Sequence, residues 1–166
     1  MDYRSRGWYF VTICTRSRAS LFGELLEGSM RLSPIGIIAA SELQRVPSHY
    51  DNVTIDECVV MPNHVHAVVM IDGDHYFSPS ACLRMPGVNT KSASDPLKAG
   101  SLSAIIGSYK AGVTRRCHEL GIERAIWQPR FYDHLLRGDR VIAAVREYIR
   151  NNPANWHQDN ENPYRR

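Results

Sequence analysis

The run "VTIDECVVMPNHVHAVVMI", residues 53 to 71, constrains the fold more than any other feature. Its apolar and β-branched residues are typical of strands, and Met61-Pro62-Asn63 divides the run in two. Proline has no N–H to donate to a sheet, so Pro62 predicts a turn, a bulge or a sheet edge at this point. We therefore expect two strands, or one bent hairpin.

Five further segments have the pattern of regular secondary structure. Residues 8–15 have the pattern of a strand, and the segment 125–138 begins as a short strand or loop. Three segments have the pattern of helices: one with Ser33 as N-cap and Pro34 at its first position that ends near Pro47, one at 101–121 that Gly121 terminates, and one at 139–153. The last has Asp139 as N-cap and ends at Pro153. This order predicts an α+β sandwich with a mainly antiparallel sheet.

The length of 166 residues suits one domain with a sizeable core. We expect that domain at residues 1–156, followed by a frayed polar tail at 157–166. Residues 72–100 contain turn formers and little periodicity, which predicts a flexible insertion or a functional loop. No apolar run approaches the ~20 residues needed to span a bilayer, and no signal-peptide cleavage site follows the N-terminus. We expect a cytoplasmic protein that has no membrane partner.

Four cysteines, Cys14, Cys58, Cys82 and Cys117, lie far apart and include no CxxC pair. This spacing argues against a disulfide framework and against a zinc knuckle.

His64 and His66 interrupt the second half of the apolar run. Side chains two apart on a strand share a face of the sheet. Two neutral imidazoles are costly in a core unless they are hydrogen-bonded, whereas side by side they offer two nitrogen ligands to a divalent metal. Taken alone, the pair is explained about as well by a polar face of a sheet.

Tyr148 and Asn152 lie four residues apart near the end of the last predicted helix, so they share one of its faces. A tyrosine hydroxyl can attack a phosphodiester, and an asparagine carbonyl oxygen can bind a hard cation. The alternative for Tyr148 is a half-buried aromatic residue on an amphipathic helix.

Basic and aromatic residues suggest a nucleic-acid surface. The net charge is only +3, but arginines cluster at 4–18, 115–116 and 130–150. Candidate DNA contacts are Lys110, Arg115, Arg116, Trp127, Gln128, Arg130, Tyr132 and His134, with aromatic rings for unstacked bases and cations for phosphates. A packed strand and solvated helix faces are the alternatives. Tyr132 is also a rival nucleophile.

Four motifs occur together in a definite order: "YFVTICT", "VVMPNHVHAVV", "WQPRFYDHLLR" and "EYIRNNPANW". Over residues 8 to 156 the chain resembles the single-tyrosine transposases of the His-hydrophobic-His endonuclease superfamily. It is most similar to the branch associated with repetitive extragenic palindromes (REP) in bacterial genomes.

The resemblance implies a ferredoxin-like fold and a metal-dependent endonuclease that acts on single-stranded DNA at hairpins. It implies that His64 and His66 bind Mg²⁺ or Mn²⁺, and that Tyr148 forms a 5′-phosphotyrosine intermediate from which strands can be rejoined. Insertion-sequence relatives complete the metal site with a glutamine where this chain has Asn152. The resemblance also implies a monomer, working at the bacterial nucleoid, rather than a dimer that exchanges tyrosine helices.

Two other functions remain open at this stage. A domesticated protein could bind hairpin DNA without cleaving it. A zinc hydrolase could use His64 and His66 with a bound water as nucleophile, although no third ligand lies near the pair in the sequence.

Overall fold

The computed structural model describes residues 6–73 and 100–163. Its elements in these ranges are β1 (Gly7–Cys14), β2 (Gly23–Leu26), β3 (Ser29–Leu32), α1 (Pro34–His49), β4 (Val53–Met61), β5 (His64–Ile71), α2 (Leu102–Glu119), β6 (Tyr132–Leu136) and α3 (Asp139–Asn151), with single turns of 3-10 helix at Arg16–Arg18 and Trp156–Gln158. Most of the insertion predicted at 72–100 lies outside the described residues.

The main sheet has four strands in the order β4-β5-β1-β6, and every neighbouring pair is antiparallel. Without β2, β3 and α3, the elements follow one another along the chain as β1-α1-β4-β5-α2-β6. This chain order, combined with the strand order β4-β5-β1-β6 in the sheet, is the ferredoxin-like arrangement. The predicted α+β sandwich with an antiparallel sheet is therefore confirmed. The separate β2–β3 hairpin was not predicted.

The two faces of the sheet bury different layers. Val65, Ala67 and Val69 of β5 point into the larger core, which α1 and α2 cover. The intervening side chains point towards α3, which contributes Ile142 and Ile149 to a much smaller apolar cluster around Val68 and Leu136. Alternation along β5 thus places His64 and His66 in the layer beneath α3.

The ends of two helices differ from the sequence prediction. Ser33 is the N-cap of α1, as predicted, and its Oγ accepts from Gly36 N at 3.1 Å. The helix continues past Pro47 to His49, because a proline in the last turn removes only one hydrogen bond of the helix. The N-cap of α3 is Gly138 rather than Asp139; Gly138 has a φ of 88°, which favours glycine, and Asp139 occupies the first turn.

The β4–β5 connection is the turn predicted at Pro62, with two residues between the strands. Neighbouring segments hold it in place, because Phe22 N donates to Pro62 O at 2.9 Å and Thr15 N donates to Asn63 O at 2.8 Å. His64 therefore begins β5 from a fixed turn. Among the helices described, none has the length and apolar character required to cross a membrane.

Candidate active site

His64 and His66 lie side by side on the sheet face that α3 covers, as their spacing predicts. Their ring centroids are 4.3 Å apart, and both residues are buried. The ring of Trp156 stacks on His64 at 5.9 Å, and the ring of Phe10 lies 5.0 Å from His66. The pair is therefore part of a packed interior layer and not a solvated polar face of the sheet.

Asp159 is a third potential ligand that the sequence did not indicate. Its Oδ2 lies 3.9 Å from His64 Nε2 and 4.0 Å from His66 Nε2. One ligand atom from each of the three buried residues lies within 4.8 Å of the other two, so the group could hold a metal ion. The prediction of a frayed tail from residue 157 is wrong for this part of the segment, because Asp159 is packed against the histidines.

Asn63 fixes the orientation of His64. The Asn63 Nδ2 donates to the carbonyls of Arg18 and Glu161, at 3.2 and 2.8 Å, which leaves its Oδ1 to accept from His64 Nδ1 at 2.9 Å. His64 therefore carries its proton on Nδ1 and directs the lone pair of Nε2 towards Asp159. This is the arrangement in which outer-shell partners usually hold a metal-binding histidine.

Thr12 plays the corresponding part for His66. Its Oγ1 lies 2.9 Å from His66 Nδ1, in the cross-strand pair that joins β1 to β5. Each histidine thus has one ring nitrogen engaged by a neighbouring side chain, and the two Nε2 atoms face the same carboxylate oxygen.

The electrostatics of the site suit a cation. Burial lowers the pKa of His64 to about 2 and that of His66 to about 4, so both imidazoles are neutral at physiological pH. Within the described part of the chain, His64 Nε2 and Asn152 Oδ1 are buried atoms with no hydrogen-bond partner. Unpartnered buried acceptors are costly, and a bound cation would satisfy both atoms.

Asn152 lies at the C-terminal end of α3, and its side chain reaches the cluster through Asp159. Its Nδ2 donates to Asp159 Oδ2 at 2.7 Å. The structure therefore brings together all three of the predicted metal ligands, with Asp159 between Asn152 and the histidines.

Tyr148 lies on α3 over His66. Its hydroxyl is 3.5 Å from His66 Nε2, and 45% of the residue surface is exposed. The Phe10 ring contacts it edge to face, with centroids 6.0 Å apart. Burial of the hydroxyl end, followed by the nearby Asp159 carboxylate, raises the pKa of the phenol. Tyr148 is thus partly exposed while its hydroxyl lies against His66.

Tyr132 and His134 lie on the same sheet face, on β6. Thr12 of β1 pairs with Tyr132 on one side and with His66 on the other, so the three residues form one row across the sheet. Tyr132 is 55% exposed. The structure therefore brings this predicted DNA contact to within two strand spacings of the histidines, roughly 10 Å across the sheet.

The predicted contacts on α2 and in the loop that follows it have partners within the chain. Lys110 Nζ donates to Gln128 O at 2.6 Å and to Arg130 O at 3.0 Å. Arg116 pairs with the buried Glu42 at 3.0 Å, and Arg115 lies 3.8 Å from Glu119.

Trp127 packs on Phe22 at 5.4 Å and donates through Nε1 to Lys110 O. The structure does not bring Lys110, Arg115 and Arg116 of α2 next to the histidines. Lys110 and Trp127 instead hold the loop before β6 in place.

The fold and the site define a class of α+β sandwich proteins in which a helix-borne tyrosine lies beside two histidines and a carboxylate. No protein-family model matches the chain. A Haemophilus influenzae protein named "Uncharacterized protein" is 32% identical over 158 residues, covering 95% of this chain and 86% of the relative. Another H. influenzae protein, named "Putative REP-associated tyrosine transposase", is 24% identical over 160 residues, with coverage of 92% and 73%.

Solved structures share the fold. One is described as "Structure of the REP associates tyrosine transposase bound to a REP hairpin". Its alignment covers 94% of this chain and 72% of that chain, with a TM-score of 0.59 and 20% sequence identity. A crystal structure of a "putative transposase" from Deinococcus radiodurans covers 91% and 94%, with a TM-score of 0.50 and 13% identity. The chain belongs to the same family as the H. influenzae protein that is 32% identical to it, and it is similar in sequence and in fold to proteins named as REP-associated tyrosine transposases.

Proposed function

We propose that this protein is a metal-dependent endonuclease that cleaves single-stranded DNA at or near hairpins through a covalent link to Tyr148. The observation that carries the proposal is the position of the Tyr148 hydroxyl, 3.5 Å from His66 Nε2 and beside the cluster with Asp159. A nucleophile next to a cation site is the arrangement that phosphodiester cleavage needs.

His64, His66 and Asp159 would hold the ion, with Asn152 Oδ1 as a further oxygen donor. The unpartnered Nε2 and Oδ1 atoms support this assignment. Imidazole and carboxylate ligands together suit Mn²⁺, and the oxygen donors are also compatible with Mg²⁺. When bound, the cation supplies positive charge that stabilises the phosphate and the leaving oxygen.

In the reaction we propose, a bond forms between Tyr148 Oη and the phosphorus while the bond from phosphorus to the 3′ oxygen breaks. The phenol gives up its proton, and the leaving oxygen takes one and becomes a 3′-hydroxyl. Because burial raises the pKa of Tyr148, the free protein keeps the phenol protonated at neutral pH. Attack by a 3′-hydroxyl on the phosphotyrosine reverses the step and rejoins strands.

The face beside α3 would receive the DNA. One solved relative is described as bound to a REP hairpin, and here the exposed ring of Tyr132 lies in the same row as His66. An exposed aromatic ring gives an unpaired base a surface on which to stack, and the neighbouring Arg130 offers a cation to a phosphate. Of the predicted DNA contacts, we therefore propose that Arg130, Tyr132 and His134 bind the DNA nearest to the site.

One chain contains every group this chemistry uses, because Tyr148 lies over the histidines of its own chain. We therefore propose that the protein acts as a monomer, on genomic hairpins in the bacterial cytoplasm.

A second candidate is a hydrolase that activates water. Asp159 favours it, since this residue would supply the third ligand that a two-histidine zinc site requires.

The test is incubation of the protein with single-stranded hairpins from the DNA that flanks its own gene, with and without Mn²⁺, followed by denaturing electrophoresis. We expect a metal-dependent covalent protein–DNA band and a released strand with a free 3′-hydroxyl. Cleavage with no covalent band at any time point would instead support the hydrolase. Retarded DNA in a native gel with no cleavage would support a protein that only binds hairpins.

A further inference from the structure

Two ion pairs tie α3 to β4, one through the arginine two residues before Tyr148 in the chain and one through the arginine two residues after it. Arg146 makes a two-pronged pair with Asp56, with Nε to Oδ2 at 2.6 Å and Nη2 to Oδ1 at 2.7 Å. Arg150 Nε donates to Glu57 Oε2 at 2.6 Å. The two arginines are four residues apart, so they lie on one face of the helix, and Tyr148, two residues from each, lies on the opposite side of the helix, over His66.

A β-bulge makes this pairing possible. Ile55 pairs with Val69 and Glu57 pairs with Val68, so Asp56 is an extra residue in β4. In a regular strand, consecutive side chains point to opposite faces, and only one of the two acids could reach α3. The bulge lets Asp56 and Glu57 both face the helix while Ile55 packs against the core beneath α1 and α2.

Besides the ion pairs, α3 is held by a small apolar cluster to which Val145 contributes, by the contacts of Tyr148 with Phe10 and His66, and by the hydrogen bond from Asn152 to Asp159 at its C-terminal end. Only Ile142 and Ile149 of this helix are buried. Arg146 adds a contact with the Trp8 ring at 5.4 Å. The arginine side chains are 35% and 64% exposed, and ion pairs of that kind add little to global stability. Their strongest effect is geometric, because a two-pronged guanidinium–carboxylate pair fixes both distance and orientation.

We infer that Asp56 and Glu57 are positioning residues for the tyrosine nucleophile. They act through Arg146 and Arg150 to set the position of α3 along and across the sheet, and so hold the Tyr148 hydroxyl over His66. This inference rests on the proposed function. A displacement of about 1 Å can slow a reaction on the order of 100-fold, whereas loss of an exposed ion pair barely changes stability.

The competing explanation for Arg146 and Arg150 is direct contact with DNA phosphates. The two possibilities predict different results for exchanged charges. If the pair positions α3, Asp56→Arg combined with Arg146→Asp recovers much of the rate that each single change loses. If Arg146 binds a phosphate, the exchanged pair stays as defective as Arg146→Asp alone, and its affinity for the hairpin falls in parallel.

The experiment compares Asp56→Asn, Glu57→Gln and the double variant with wild type, and uses Glu119→Gln, which breaks the exposed Arg115 pair on α2, as a matched control. At saturating hairpin and Mn²⁺ we expect the rate of covalent-band formation to fall at least about tenfold in the double variant. Hairpin affinity should stay within about twofold, and the control should match wild type. Asp56→Glu should recover part of the rate of Asp56→Asn.

Hydrogen exchange supplies a readout that needs no cleavage. In the Asp56 and Glu57 variants we expect amides of 139–151 to exchange about fivefold faster, with α2 unchanged. Unchanged exchange in α3 overturns the inference, as does a rate that falls only in proportion to hairpin affinity. Faster exchange in α3 of a protein whose wild type forms no covalent band would instead refute the proposed function and leave the positioning of α3 supported.

Discussion

The Tyr148 hydroxyl lies 3.5 Å from His66 Nε2, although 82 residues separate the two positions in the chain. The contact exists because His66 lies near the start of β5, on the face of the sheet that α3 covers. It places a tyrosine hydroxyl, two imidazole nitrogens and the Asp159 carboxylate within one small volume.

The first prediction concerns the two candidate nucleophiles. Tyr148→Phe should abolish the covalent band while hairpin affinity stays within about twofold. Because Tyr148 is nearly half exposed, the free energy of unfolding should change by no more than about 0.5 kcal/mol. Tyr132→Phe is the matched control; it keeps the aromatic ring and should keep the band. A band that survives in Tyr148→Phe would move the nucleophile elsewhere.

The second prediction concerns metal-linked stability. Mn²⁺ at about 100 times its dissociation constant should stabilise the folded protein by about 2.7 kcal/mol, a rise in Tm of roughly 5–10 °C. Chelation by EDTA should reverse it. Calorimetry or a dye-based melt measures the shift without any DNA.

Asp159→Ala and His66→Ala should each remove most of that shift, because each change removes a ligand atom and puts no other donor in its place. Asp133→Asn, on the neighbouring strand β6, is the control and should respond to Mn²⁺ as wild type does. An equal shift in all of these proteins would place the cation at another site.

The third prediction concerns the side chain that orients His64. Asn63→Ala should weaken Mn²⁺ binding about 10- to 100-fold, because the imidazole then loses the partner that holds its proton on Nδ1. Asn52→Ala is the comparison, since that amide only reaches Gly73 O at 3.5 Å on the surface. Titration calorimetry gives both affinities, and equal values for the two variants would show that Asn63 has no part in the metal site.

The fourth prediction separates a structural lysine from a DNA-binding arginine. Lys110→Met should lower the free energy of unfolding by about 1–3 kcal/mol, because two backbone carbonyls lose a charged donor. It should leave the salt dependence of hairpin binding unchanged when measured well below the melting temperature.

Arg130→Gln should do the reverse. It should leave stability unchanged and reduce the slope of log affinity against log salt by about 0.7 to 1, the value for one lost phosphate contact. A reduced slope for Lys110→Met would mean that its amine leaves the carbonyls and binds DNA.

Local patterns in the sequence predicted much of this structure. The proline break at 62 predicted the hairpin, the two-residue spacing of His64 and His66 predicted a shared face, and Ser33 predicted the N-cap of α1. Each of these rests on physics within a few residues, such as strand alternation or the missing N–H of proline. For that reason they remain valid in the folded chain.

Tertiary contacts account for what the sequence did not predict. Asp159 belongs to a polar segment with no periodic pattern, and only the return of the chain across the sheet makes it a ligand candidate. Likewise, charge clustering cannot show that Lys110 serves two carbonyls or that Arg146 faces Asp56. Those partners lie 18 to 90 residues away in the chain.

The most direct test of the proposed chemistry is peptide mapping of the covalent product. The protein is incubated with Mn²⁺ and a single-stranded hairpin, denatured, and digested with nuclease and trypsin before mass spectrometry. We expect the nucleotide remnant on the peptide spanning 147–150, attached to Tyr148. A remnant on the peptide spanning 131–137, which contains Tyr132, or cleaved DNA with no modified peptide, would contradict the assignment of Tyr148 as the nucleophile.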